Sequence, residues 1–185
     1  VMHAYLDAIE ARHKKGESIR DMASVASFFV SRVDSLVDSK LPESSPLRGR
    51  AGVANAKIAY ANFLEVFSSD RWKKLEDAGA RVQRPLWAST GTKDPAYPDT
   101  MYVQELIGRN TVNTMPTDTA EAWLDHGEPV ADTVQRDLDE ARSLFEHLEA
   151  ADVDFDAVTA QLLREGVDKF EDAFAGVLEA VDGKK

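Results

Sequence analysis

Apolar positions along this chain recur in two rhythms. Three short runs, residues 25–30 (VASFFV), 84–89 (RPLWAS) and 111–115 (TVNTM), are apolar or β-branched and bounded by polar residues or proline, the pattern of buried strands. The segments between and after them follow the helical period. Met2, Tyr5, Leu6, Ile9 and His13 fall on one helix face, with no capping residue ahead of them. Within residues 46–69, Val53, Ala56, Tyr60, Phe63 and Phe67 alternate spacings of three and four. A further helix is expected over residues 98–107, with proline near its start and Gly108 behind its end. Another is expected from Thr117, as cap, to about His126, with Gly127 as the stop. Beyond that point the pattern is helical only. Val134, Leu138, Ala141, Phe145 and Leu148 form one stripe, and Val167, Phe170, Phe174, Val177 and Val181 form a second.

The predicted order is a helix, three β-α repeats and a helical tail. Such alternation implies α/β architecture, a parallel sheet with helical crossovers. An all-parallel sheet needs both faces covered or must close into a barrel, and closure takes eight strands. Three strands followed by extra helices suit the last three repeats of a (β/α)8 barrel; a small three-layer α/β domain is the alternative on topology alone. Residues 1–185 are thus expected to be a single partial domain, with barrel repeats over 1–130 and C-terminal helices over 131–185. Entry into helical periodicity directly at Val1 reads as a cut in mid-helix. The strand at 25–30 is then expected to lack its preceding parallel neighbour and to be adhesive.

Composition narrows the function classes. With 43% hydrophobic and 30% charged residues, the chain has ordinary globular character and material for one core. No cysteine occurs, which excludes disulfides and thiolate metal sites. His3, His13, His126 and His147 lack ligand-like spacing, so no metal is expected. Apolar runs are too short to span a bilayer and no signal peptide opens the sequence, so the expectation is a cytoplasmic protein. The net charge of −11 is unevenly placed: residues 1–116 carry 16 Lys+Arg against 14 Asp+Glu, and residues 117–185 carry 6 against 19. That acidic last third repels nucleic acid and anionic membranes, and its plain reading is a solvated helical surface.

Two strand ends carry candidate chemistry. In SVASFFVSRVD (24–34), a buried strand ends in Ser31 and Arg32, where the mouth of a parallel barrel places its active site. The guanidinium there offers a fixed fork of donors suited to a phosphate; a helix-start arginine, solvated or paired with Asp34, fits the spacing equally well. In RPLWASTGTKDPAY (84–97), Ser89, Thr90, Gly91 and Thr92 form a small hydroxyl-rich loop that lets backbone N–H groups approach an anion, and Lys93 adds a mobile charge. The same residue types are common in turns. NTVNTMP (110–116) holds no nucleophile or proton carrier, and no dinucleotide fingerprint, Walker loop or nucleophile elbow is present.

SVASFFVSRVD, RAGVANAKIAYANF, RPLWASTGTKDPAYPDTMYVQELIG and NTVNTMP, in this order, resemble the transaldolases, most closely the longer actinobacterial type, and EGVDKFEDAF is similar to that group's C-terminal helix. The resemblance covers essentially the whole chain and implies strands six to eight of a (β/α)8 barrel with their helices. It implies an enzyme of the pentose phosphate pathway that moves a dihydroxyacetone unit from a ketose phosphate, such as fructose 6-phosphate or sedoheptulose 7-phosphate, to an aldose phosphate such as erythrose 4-phosphate. A strand-four lysine forms a Schiff base with the donor ketone, so no metal or organic cofactor is implied. A strand-three glutamate and a first-strand aspartate serve proton transfer.

Carried onto this sequence, the family's S-x-F-x-x-R element falls on Ser27, Phe29 and Arg32, implying a contact to substrate hydroxyls, a pocket wall and a phosphate ligand respectively. Ser89 falls in the phosphate site. Many shorter members carry an arginine two residues later, where this chain has Gly91, and Lys93 is the candidate substitute. LWAST (86–90) superficially resembles the strand-four lysine motif, but Leu86 stands at the lysine position and the segment follows SFFVSR. Lys93, expected to be exposed beside Asp94, is a poor Schiff-base candidate. No catalytic residue is therefore assigned within the chain; the reactive lysine is expected upstream, and this chain alone is expected to be inactive. The partners implied are sugar phosphates and either the missing N-terminal half or a second copy of the chain. A non-catalytic half-barrel binding module and another phosphate-binding class I aldolase-like barrel are the alternatives.

Overall fold

A computed structural model describes residues 1–183. Strands β1 (Ser24–Phe29), β2 (Gln83–Ala88) and β3 (Val112–Asn113) form one parallel sheet in that order. Ser24 to Phe29 pair with Gln83 to Ala88, and Leu86 and Trp87 pair with Val112 and Asn113. The helices are α1 (Met2–Lys14), α2 (Val30–Asp38), α3 (Ala51–Val66), α4 (Asp70–Asp77), α5 (Met101–Glu105), α6 (Thr117–His126), α7 (Leu138–Ala150) and α8 (Phe155–Asp182). The arrangement is the α/β, all-parallel order that the two rhythms predict. The last two residues of the expected tail lie outside the described residues.

Several boundaries differ from the sequence expectation for identifiable reasons. Val30 leaves the strand and opens α2, fully buried, because Phe29 in extended backbone serves as the N-cap. The third strand shrinks to two residues: Asn110 turns the chain in the left-handed region (φ 58°) and Pro116 occupies the cap of α6. Thr117 is therefore the first helical residue and not the cap. The expected helix at 98–107 contracts to α5, since the carbonyls of Gln104 and Leu106 accept from Thr133 Oγ1 and Trp87 Nε1. The helix expected over 46–69 begins at Ala51, after Gly49 in the left-handed region (φ 68°). It ends before Ser69, which accepts from Trp72 N and so caps the unexpected α4.

The core lies on one side of the sheet. Phe28 and Trp87 meet edge to face, their ring centroids 5.8 Å apart, and Trp87 packs with Tyr60, Phe63, Tyr102 and Leu106. Val134 joins that cluster from a short 3-10 turn (Thr133–Gln135), off the α7 stripe to which its spacing assigned it. Of the rest of that stripe, Ala141 and Leu148 are buried, with Leu144 beside them, against Val33, Val37, Ala51 and Ala54, while Leu138 and Phe145 are only partly buried. A third cluster ties α1 to α4 through Leu6, Ile9, Trp72 and Leu75. The other side of β1 is open. Val25 and Ser27 alternate with the inward residues and are exposed. The second predicted stripe is exposed too: Val167, Phe170, Phe174, Val177 and Val181, all on α8, are each 48–69% accessible. No helix among the described residues is long and apolar enough to cross a membrane.

Candidate functional site

β1 and β2 end level with each other, and the chain leaves them through residues 30–32 and 89–93. One bond joins these two exits and two more tie the end of β2 to the end of β3. Ser31 N–H donates to the Ser89 carbonyl (3.1 Å), Thr114 N–H to the Trp87 carbonyl (3.0 Å) and the buried Thr90 hydroxyl to Asn113 Oδ1 (2.8 Å). Ser89 itself sits in the left-handed region (φ 54°), a conformation of order 1–3 kcal/mol above the relaxed backbone that clusters at functional turns. Gly91 allows the next step, because a Cβ there would stand 3.1 Å from Thr119 Oγ1 and 3.2 Å from Pro116 Cγ.

Arg32 lies on the first turn of α2, with its guanidinium carbon 4.4 Å from the centre of the Phe29 ring. Among the described residues no carboxylate or carbonyl accepts from it, and Asp34, the nearby carboxylate that the sequence offered as partner, is engaged elsewhere. Ser27, Phe29 and Arg32 line one cavity of about 690 Å³, whose far wall is α8 through Leu162, Val167 and Phe170. Arg32 and Lys93 line a second, smaller cavity of about 240 Å³ together with Ser31, Glu165 and Lys169. Of the five residues singled out in the sequence, three, Ser27, Phe29 and Lys93, thus share a cavity lining with Arg32. Ser89 lines neither cavity and reaches the group through its bonded carbonyl. Lys93 is exposed, and its neighbour Asp94 pairs with Arg48 at 3.6 Å.

Behind this surface lies a polar clasp that sequence reasoning missed. Asp34 and Asp38, one helical turn apart on α2, are both buried. Asp34 accepts from Gly52 N (2.7 Å) and Tyr102 Oη (2.7 Å), and Asp38 accepts from Gly49 N (2.9 Å) and Tyr97 Oη (2.7 Å). A Cβ on Gly52 would come within 2.6 Å of the Val30 carbonyl, and one on Gly49 within 2.6 Å of the Tyr97 ring. Burial outweighs the two donated hydrogen bonds at Asp34 and raises its pKa to about 6. Burial and the Asp38 carboxylate push Tyr97 up to about 12. The clasp fixes α2 against the start of α3 and against the loop carrying Lys93. Its signal in the sequence was the D-x-x-x-D spacing on α2 opposite G-R-A-G at 49–52.

A buried lysine was missed as well. Lys57, on α3, is buried and donates to Glu105 at 2.8 Å. It faces the helix layer among α3, α5 and α7, away from the strand ends, and its pairing makes it a structural cation. No cluster of three or more histidine or acidic side chains among the described residues could hold a metal ion. The strand-end group offers instead an unpaired planar cation, a second cation on a loop, a serine hydroxyl on the open sheet face and an aromatic wall, a donor set suited to a phosphorylated polyol.

A family profile described as Transaldolase/Fructose-6-phosphate aldolase matches residues 2–181. The chain is 49% identical over 189 residues to a Mycolicibacterium smegmatis protein named Transaldolase, covering 100% of this chain and 51% of that one. It is 50% identical over 184 residues to the Saccharopolyspora erythraea Transaldolase (98% and 50% covered) and 47% identical over 189 residues to Transaldolase 2 of Streptomyces coelicolor (100% and 51%). The chain spans about half the length of the curated relatives it matches.

Proposed function

Since the chain belongs to the transaldolase/fructose-6-phosphate aldolase family, we propose that it supplies the phosphate-anchoring side of a transaldolase site in carbohydrate metabolism, built on strands six to eight of a (β/α)8 barrel. The observation that carries this reading is Arg32: a guanidinium at the strand ends, stacked on Phe29, with no carboxylate partner among the described residues, and lining the same cavity as Ser27. An arginine so placed binds a sugar phosphate through charge-assisted hydrogen bonds. Ser27 meets the hydroxyls of the carbon chain, Phe29 walls the pocket, and Ser89 and Lys93 stand on the phosphate side.

The reaction is transfer of a dihydroxyacetone unit from fructose 6-phosphate or sedoheptulose 7-phosphate to an aldose phosphate. A lysine amine condenses with the ketone and releases water, and carbon–carbon cleavage then frees the shortened aldose phosphate. The carbanion equivalent left on the lysine adds to the acceptor aldehyde, and water returns the amine. No lysine among the described residues fits that role: Lys57 is held by Glu105 in the helix layer, and Lys93 is exposed on a loop. The nucleophile is assigned to the half of the family length that this chain does not cover. The free edge of β1 and the apolar row on α8 are read as surfaces that meet that half, with pairing between two copies of this chain as the competing outcome.

Titrating fructose 6-phosphate and unphosphorylated fructose into the chain and into Arg32→Ala tests the proposal. The variant is expected to lose about tenfold or more in affinity for the phosphate ester and nothing for the free sugar. Equal binding of fructose 6-phosphate by both proteins overturns the reading. Borohydride trapping followed by intact-mass measurement is expected to leave this chain unmodified, and an adduct on it would relocate the nucleophile.

A further inference from the structure

The smaller cavity contains more than the residues named so far. Ser31 is 1% exposed, and its Oγ has no hydrogen-bond partner among the described residues. A buried hydroxyl left in that state is unfavourable and has its hydrogen-bonding capacity available to a ligand. It lines the 240 Å³ cavity together with Arg32, Lys93 from the β2–α5 loop, and Lys169 and Glu165 from α8. Three cations against one carboxylate leave the lining at +2, the complement of a phosphate dianion. Lys169 is only loosely engaged, since its Nζ stands 4.0 Å from Glu165 one turn back on the same helix.

We propose that Ser31 and Lys169 complete the phosphate pocket begun by Arg32, and that Lys169 couples phosphate binding to the seating of α8 across β1. This rests on the reading of Arg32 as the phosphate anchor. Two elements far apart in sequence then share one anion. The start of α2 contributes Ser31 and Arg32 from a rigid base, held by the Ser31–Ser89 backbone bond and the Asp34 clasp. α8 contributes Lys169 from a helix in which only Val158 is buried. A helix so weakly packed over its distal length has little else to fix its position against the sheet. An anion bridging Arg32 and Lys169 supplies that fixation, and Glu165 opposes it.

The test uses inorganic phosphate as the probe at low ionic strength, with calorimetric titration of the 185-residue chain and of Lys169→Ala, Lys169→Arg, Glu165→Gln, Ser31→Ala and Arg32→Ala, each checked for helicity. Lys169→Ala and Ser31→Ala are each expected to weaken phosphate about fivefold, with Lys169→Arg retaining affinity and Glu165→Gln gaining about twofold. Amide exchange across residues 160–172 is expected to slow on phosphate addition in the parent chain but not in Lys169→Ala, a readout that a purely structural lysine would not move. If only Arg32→Ala weakens binding, the completed pocket is wrong and the anchor reading stands. If Arg32→Ala binds phosphate like the parent chain, or the parent chain binds none, both fall.

Discussion

The two faces of the three-stranded sheet behave as different materials. Toward α3, Phe28 and Trp87 meet edge to face over a cluster in which Tyr60, Tyr102 and Leu106 are almost fully excluded from solvent. On the opposite face Val25 is 48% exposed and Ser27 and Arg84 reach solvent, while the apolar row of α8 stands open nearby. A parallel sheet is stable only with both faces covered, so the closed face carries the stability and the open face carries the work. The polar residues divide in the same way. Asp34 and Asp38 each accept two hydrogen bonds and act as fasteners, whereas the Arg32 guanidinium and Ser31 Oγ, a few residues earlier on the same helix, have no hydrogen-bond partner among the described residues. Satisfied polar groups hold a fold, and unsatisfied ones are available to a ligand.

The largest break in this contrast is expected on the closed face. Trp87→Ala removes a buried indole and its bond to the Leu106 carbonyl. A loss of about 3–5 kcal/mol in denaturant unfolding is expected, while Val25→Ala on the open face of the neighbouring strand stays within about 0.5 kcal/mol. Equal effects at the two positions would erase the distinction between the faces.

Asp34 sharpens it through pH. Its folded pKa is raised to about 6 from 3.8, so the folded state binds the proton more tightly than the unfolded chain. The stability this group contributes is fully present below pH 4 and is lost as the pH rises through about 6, by up to about 3 kcal/mol. Asp34→Asn is expected to abolish that step, so the stability difference between the two proteins should drift across this window and be flat above pH 7. Denaturation curves taken at half-unit intervals measure it; a difference that does not vary with pH would show that the carboxylate is not held as described.

Smaller effects belong to the periphery. Arg71 bridges Asp7 and Glu10 and so joins α4 to α1, but the bridge is solvent-screened, and Arg71→Ala should lower the denaturation midpoint only slightly, with the difference diminishing in high salt. Replacing Phe170 and Phe174 by serine should leave unfolding of the chain nearly unchanged while reducing its self-association in light scattering. Undiminished association in that double variant would move the adhesive surface from α8 to the free edge of β1.

Strand positions, the parallel order and the amphipathic helices were legible in the chain, because each depends on a local period: VASFFV and RPLWAS alternate with segments such as 53–67 whose spacing of three and four is unmistakable. The ordered motifs likewise carried the family, and with it Ser27, Phe29, Arg32, Ser89 and Lys93 as a candidate group. What the pattern could not supply was everything set by contact across the fold. Leu106 and Gln104 surrender their carbonyls to Trp87 and Thr133, which stops α5 early, and Val134 joins the core from a 3-10 turn that no helical period describes. The stripe on α8 is legible in the sequence as a helical period, yet it is solvent-exposed in the fold, because burial depends on a partner surface and not on spacing. From its position in the chain Asp34 is one of the partners open to Arg32. Only the approach of Gly52 and Tyr102 engages that carboxylate elsewhere, leaving the guanidinium with no carboxylate partner among the described residues.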